Sequence, residues 1–336
     1  MNTLNNIQML RGVASLLVIF HHLLPHYIAM GGDLEIIKSI STWGFLGVDI
    51  FFIISGFIMA YTTFNKPRTL ESAKIFIKHR AFRIYLAYWI FWVVALVITY
   101  ITNPLKIDSY NLFTSLFLLD IDMSRLVLPI SWSLSYELYF YLLFTASFIF
   151  SLSILNRLMP IIFLILLSLA VMTHLSIIPI SFFYSHFLLE FFAGVLLYIY
   201  RDKIIRLSIL PLLLIITIIA YWYGVTDELK NGLYRVLTFG VGALTLVWSF
   251  LILEREGIYR AKGYSTLLGD ASYTIYLSHL VIIWLFYFSG LRGLFTSDNI
   301  MTPLIGWIVA IATILIFSTI YYIKIEKPLY KKAISL

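Results

Sequence analysis

Along the 336 residues of this chain, long apolar runs alternate with short polar segments. A helix that crosses a bilayer needs about 20 mostly apolar residues. Windows of that size place ten spans, at 6–29, 42–65, 82–102, 134–155, 158–175, 183–200, 206–223, 233–253, 271–289 and 303–324. The apolar stretch 110–121 is too short to cross and is expected to be a re-entrant or interfacial piece. No fixed-period repeat, low-complexity tract or soluble domain breaks the pattern. The expected fold is an all-α integral membrane protein of about ten transmembrane helices, with 1–336 forming a single transmembrane domain.

Composition agrees with this pattern. The chain is 61% hydrophobic and 12% charged, where soluble proteins carry about 25% charged residues. There is no cysteine, which excludes disulfides and thiolate metal sites. The formal charge of +7 reads as basic loops on one membrane face, not as nucleic-acid binding. The 23 Tyr and 8 Trp suit membrane-interface belts as well as a ligand cavity. The first apolar run lacks a basic leading region and a small-residue cleavage site, and it carries Arg11 inside. It is expected to be a retained span, not a signal peptide.

Charge then orients the spans. Segment 66–83 holds Lys66, Arg68, Lys74, Lys78, Arg80 and Arg83 against Glu71 alone. Arg201, Lys203 and Arg206, and the tail lysines Lys324, Lys327, Lys331 and Lys332, fall on the same side as both termini if there are ten spans. The loops 30–41, 103–131 and 224–232 carry Asp33, Glu35, Asp108, Asp120, Asp122, Asp227 and Glu228 and are poor in Lys and Arg. The positive-inside rule then puts both termini in the cytoplasm.

Some polar side chains interrupt the apolar runs. Arg11 and His22 in the first span are separated by a rotation of about 20° and a rise of about 16 Å, so they share a helix face. His21 points about 80° away from Arg11. Arg11 can snorkel to the interface; His22 lies deeper, where a histidine either bonds a neighbouring helix or works on a substrate. Asp49 lies near the outer end of the second span, an interface position. Arg80 and Arg83, three apart at a helix start, make a fork suited to phosphates, or simply mark the cytoplasmic side. Ser133, Glu137 and Tyr141 recur every four residues in the fourth span, with Trp132 beside them. Glu137 is placed to orient an imidazole or take a proton, or to sit at the interface among Tyr and Trp neighbours. Ser272, Tyr276 and His279 share one face of the ninth span. Glu326, just past the last span, sits among lysines as for a local ion pair. Together, spans 1, 4 and 9 can bring polar groups into one cavity within the bundle, with a cationic mouth suited to an anionic nucleotide donor.

The segments RGVASLLVIFHH, GVDIFFIISGFIM, HRAFRIYLAYW, SWSLSYELYFYLL, LEFFAGVLLY, LGDASYTIYLSHL and IEKPLYKK occur in this order. In order and spacing the set resembles the membrane acyltransferase-3 family over nearly the whole chain. Its look is most similar to the bacterial exopolysaccharide and O-antigen O-acetyltransferases, in the stand-alone form without a hydrolase domain. Arg11 and His22 match the family's paired Arg and His, Arg80 and Arg83 its R-x-x-R, and Glu326 with Pro328 and Leu329 its closing E-x-P-L. One departure is His79, where many relatives have another Arg.

The resemblance implies an enzyme of the bacterial inner membrane. It would move an acetyl group from cytoplasmic acetyl-CoA, as co-substrate, to a sugar hydroxyl of a surface polysaccharide or its lipid-linked precursor. No metal and no permanently bound cofactor are expected; the partners are acetyl-CoA, the glycan and membrane lipids. His22 would act as general base or as acyl-carrying nucleophile, with Glu137 or Asp49 orienting it and Arg11 stabilising the donor or an oxyanion. Arg80 and Arg83 would grip the donor's phosphates. Two other readings are a transporter for a lipid-linked glycan and an acyltransferase using another acyl-CoA. Against the transporter, the sequence shows no related halves.

Overall fold

The computed structural model describes residues 4–224 and 232–335. Asp227 and Glu228 of the expected acidic loop lie outside the described residues. The helices are α1 (Asn5–Ala29), α2 (Glu35–Thr42), α3 (Phe45–Thr63), α4 (Leu70–Thr102), α5 (Leu112–Leu116), α6 (Trp132–Ala146), α7 (Leu152–His174), α8 (Phe187–Ile204), α9 (Leu210–Gly224), α10 (Gly232–Arg235), α11 (Val241–Arg255), α12 (Tyr264–Asp270), α13 (Ser272–Phe288), α14 (Met301–Tyr321) and α15 (Lys327–Ser335). No strand occurs among the described residues.

Seven helical stretches among the described residues are long and apolar enough to cross a membrane; an eighth is added if α12 and α13, bent by 73°, form one span. Two expected spans come out differently. The window 134–155 runs over a helix break: α6 ends at Ala146, and Ser151 caps the start of α7 by accepting from the Ile154 N–H at 3.4 Å. The window 206–223 is a shorter apolar helical stretch, Leu207–Tyr223. The apolar piece 110–121 holds only the five-residue α5, capped by Asn111. Hydropathy windows sum over such breaks, whereas a polar cap ends a helix at one residue.

The helices group into two compact units interleaved along the chain. The first contains the chain up to Ala14, Phe45–Ile77 and Tyr139–Gly269. Its tightest packing is between α3 and α8. A Cβ at Gly56 would lie 1.8 Å from the Phe191 carbonyl oxygen, and one at Gly194 would lie 2.1 Å from that of Ile53. Only glycine admits such an approach, and the crossing is sealed by the stacked rings of Phe140 and Phe191, 4.4 Å apart. The start of α1 is held by Glu254, whose two oxygens accept from the Asn5 and Asn6 N–H groups at 2.8 and 2.9 Å. These are donors that a helix N-terminus leaves unpaired.

The second unit contains Ser15–Gly44, Lys78–Leu138 and the chain from Asp270 onward. Here α13 packs on α14, with the Ser278 and Ser318 hydroxyls 2.6 Å apart. A π-helical turn, Tyr322–Glu326, joins α14 to α15; such turns often mark functional sites. The short α5 is tied to α4, because Tyr88 donates to the Ser115 carbonyl at 2.6 Å and Trp92 to its hydroxyl at 2.9 Å.

Candidate active site

In the second unit α1 and α13 run side by side in the same direction. Ser15 donates to the Ser272 carbonyl at 3.2 Å. Seven residues further along each helix, the rings of His22 and His279 meet with centroids 5.0 Å apart and planes at 53°. Seven residues are nearly two turns, so the same pair of helix faces stays in contact.

Backbone carbonyls fix both imidazoles. The Nδ1 of His22 is 2.9 Å from the Val18 oxygen and that of His279 is 2.6 Å from the Tyr276 oxygen. A carbonyl can only accept, so each Nδ1 carries the proton and each Nε2 of the neutral ring carries a lone pair. The Nε2 of His279 is buried and has no hydrogen-bond partner among the described residues. His279 is 0% exposed, whereas His22 is half-buried. His21 stands edge-on to His22, with ring centroids 5.2 Å apart, but its Nδ1 is 3.4 Å from the Ser41 oxygen, and Gly44 packs against its Cβ.

The start of α6 supplies the support. The Tyr276 hydroxyl donates to the Ile130 carbonyl at 2.8 Å and is 2.8 Å from the Ser133 hydroxyl. The Tyr276 ring lies 5.8 Å from that of His279. Trp132 packs edge-on against Tyr136. Glu137, half-buried one turn beyond Ser133, lies within electrostatic reach of Tyr273. Residues of spans 1, 4 and 9 thus assemble in one unit.

Near the start of α13 lies a second group. Arg83 Nη1 is 3.4 Å from Glu326 Oε1, in a pair whose side chains are 24% and 4% exposed. Thr274 donates to the other Glu326 oxygen. The Arg83 guanidinium also sits over the Tyr273 ring at 5.6 Å, and the Tyr273 hydroxyl donates to the Ile84 carbonyl at 2.7 Å. Glu326 therefore pairs with an arginine from a distant helix, where the sequence suggested a lysine beside it. A carboxylate that is nearly buried selects a partner that reaches it inside the protein, and the tail lysines extend outward. Arg80 lies one turn before Arg83 on α4, with its Nε shielded from solvent.

The first unit holds the remaining candidates. Arg11 donates to the Gln8 side chain at 3.1 Å. Tyr141 is buried with its ring against Phe76. Asp49 is buried inside the protein, 0% exposed. Both its oxygens are gripped by Arg235, Nε at 3.1 Å and Nη2 at 2.9 Å. Glu190 is buried beside this pair. Neither Arg235 nor Glu190 was singled out by the sequence reading. Each is a lone charge inside an apolar window, 233–253 and 183–200, and that signal would have found them.

Two basic nitrogens on facing helices, shielded by apolar packing, suit proton abstraction from a hydroxyl or attack on an acyl carbon. Comparison with known proteins bears on that chemistry. A family described as an acyltransferase domain matches residues 4–323. The exopolysaccharide production protein ExoZ of Rhizobium meliloti (strain 1021) is similar, at 28% identity over 310 residues, covering 87% of this chain and 91% of that protein. No solved structure matches.

Proposed function

Because this chain belongs to the acyltransferase-3 family and is a multi-pass membrane protein, we propose that it is an O-acetyltransferase of the bacterial inner membrane. Acetyl-CoA is the donor, and the acceptor is a sugar hydroxyl of an exopolysaccharide or its lipid-linked precursor. The name of the Rhizobium relative supports the acceptor class. The observation that carries the reading is the His22–His279 pair, with rings 5.0 Å apart and both Nδ1 atoms tied to the backbone.

The chemistry runs through the Nε2 of His22. As general base it takes the hydroxyl proton while the sugar oxygen attacks the thioester carbonyl. The C–S bond breaks and the thiolate leaves as the thiol, taking that proton. As nucleophile it attacks the thioester itself, releases the thiolate, and carries the acetyl as acyl-imidazole until the hydroxyl displaces it. In either route His279 is the neighbouring acceptor through which a proton can pass. Glu137 supplies charge for orientation. Arg80 and Arg83 meet the donor's phosphates.

The test uses membrane vesicles carrying the chain, given acetyl-labelled CoA, and follows label into the glycan fraction. Label with wild type and none with His22→Ala, at equal protein level, is the expected result. Equal label with both removes His22 from the mechanism. Label from succinyl-CoA but not acetyl-CoA changes the acyl group. No label with any donor favours glycan transport instead.

A further inference from the structure

The first unit contains a cavity of about 340 Å³ that this mechanism does not use, lined by Arg201, Arg255, Arg260, Tyr61, Phe57 and Glu254 among others. It lies where the C-terminal ends of α3, α8 and α11 meet the start of α1. Lys66 follows α3 at this same end and is exposed.

The charges at the cavity decide what it can hold. Three helix C-termini carry partial negative charge, and part of Arg201 and of Arg255 answers them. Arg201 Nη1 donates to the Tyr198 carbonyl at 2.8 Å, and Arg255 Nη1 to the carbonyls of Arg201 and Ile205 at 3.4 Å each. Of the two acidic residues in the lining, Glu254 is committed to the Asn5 and Asn6 N–H groups. Asp202 pairs with Arg201 Nη2 at 3.6 Å, with its own side chain 74% exposed, so the donors left over are those of Arg255 and Arg260. Each guanidinium has five N–H donors. Arg260 contacts Glu254 through Nε at 3.6 Å, and neither of its Nη atoms, nor Nη2 of Arg255, has a partner among the described residues. The cavity is left with an excess of cationic donors in fork geometry, the pattern that takes a phosphate.

Size and lining narrow the class. A cavity of 340 Å³ is at the small end of ligand sites, roughly 300–1,000 Å³, and admits a head group, not a polymer. Tyr61 and Phe57 lie nearly parallel at the wall, with ring centroids 6.2 Å apart, and offer a face to a flat base. We propose that this cavity is an anion site for a phosphate-bearing head group. A soluble nucleotide other than the acyl donor, whose phosphates Arg80 and Arg83 meet in the function proposed above, is one source; a membrane phospholipid is the other.

The experiment uses the full chain in nanodiscs. In phosphatidylcholine discs, binding of adenosine 3′,5′-bisphosphate is titrated for wild type, Arg260→Gln, Arg255→Gln/Arg260→Gln and the Lys/Lys double variant. Arg206→Gln, a basic residue outside the lining, is the control. The nucleotide source predicts about a tenfold loss of affinity in the double Gln variant, with partial recovery in Lys/Lys and none lost in Arg206→Gln. Arg260 makes no helix-capping contact, so the single variant serves if the double one does not fold. In discs with phosphatidylglycerol, native mass spectrometry counts retained anionic lipid. Lipid retained by wild type and lost in Arg260→Gln, without nucleotide binding, assigns the site to phospholipid. Nucleotide and lipid binding unchanged in Arg260→Gln and in the double variant overturns the proposal, as does absence of both from wild type. Acetyl transfer is scored separately on the same samples, so failure of the donor reading and failure of this site are told apart.

Discussion

Arg83 and Glu326, from opposite ends of the chain, form an ion pair at 3.4 Å. The R-x-x-R segment of α4 and the E-x-P-L segment after α14 are therefore one structural unit, closed by Thr274 on α13. That assembly gives Arg83 a job whether or not it touches a phosphate.

Glu326→Gln removes one charge and leaves a partly shielded guanidinium without its counterion. The expected cost is about 1–3 kcal/mol, since hydrogen bonds to charged groups and half-buried pairs fall in that range. Thermal unfolding in detergent measures it. Arg83→Lys should cost less, and exchanging the two residues should recover part of the loss. A Glu326→Gln protein as stable as wild type would make the pair incidental.

The Asp49–Arg235 pair is buried more completely, with side chains 0% and 8% exposed. Removing one member strands a charge in an apolar bundle, at about 3–5 kcal/mol. Asp49→Asn and Arg235→Met should each lower the folded yield sharply, and Asp49→Leu/Arg235→Met should lose less than either. Fluorescence-detected gel filtration distinguishes these cases.

At Gly56 the available space is less than any side chain needs. Gly56→Val should force α3 and α8 apart and cost about 1–3 kcal/mol or more. Gly293, which has nothing within 4 Å of an added Cβ, is the control, and Gly293→Ala should be neutral in the same unfolding assay.

For catalysis, His22→Ala should lower kcat by at least about 10²-fold, the lower end of general base contributions. His21→Ala should do much less, because that ring faces Ser41. Tyr276→Phe keeps the ring beside His279 but loses the bonds to Ile130 and Ser133. It should reduce kcat with little change in KM. A larger loss from His21→Ala than from His22→Ala would overturn the assignment.

Helical period carried much of this site. A rotation of 100° per residue separates His22 from His21; the two rings stay in edge contact, but only His22 meets His279 while the Nδ1 of His21 lies by Ser41. The same period gave Ser272, Tyr276 and His279 one face. It did not reveal which distant groups meet. Arg83 with Glu326 and Asp49 with Arg235 are joined by tertiary packing, which leaves no trace in local spacing. Tyr141 shows the limit from the other side: it shares a helical period with Ser133 and Glu137, yet its ring packs on Phe76 in the other unit.

The contact of α1 with α13 also sets a rule of phase. One residue inserted between Ser272 and His279 would swing the second imidazole by about 100°, and two by about 200°. An insertion of seven returns it to within about 20°, but about 10 Å too far along the axis. No change of length inside that segment keeps both direction and depth. The bend of 73° before α13 separates that register from α12, so length changes can be absorbed upstream. The six residues between Ser272 and His279 thus act as a gauge length, fixed by counting even where their own side chains are free to vary.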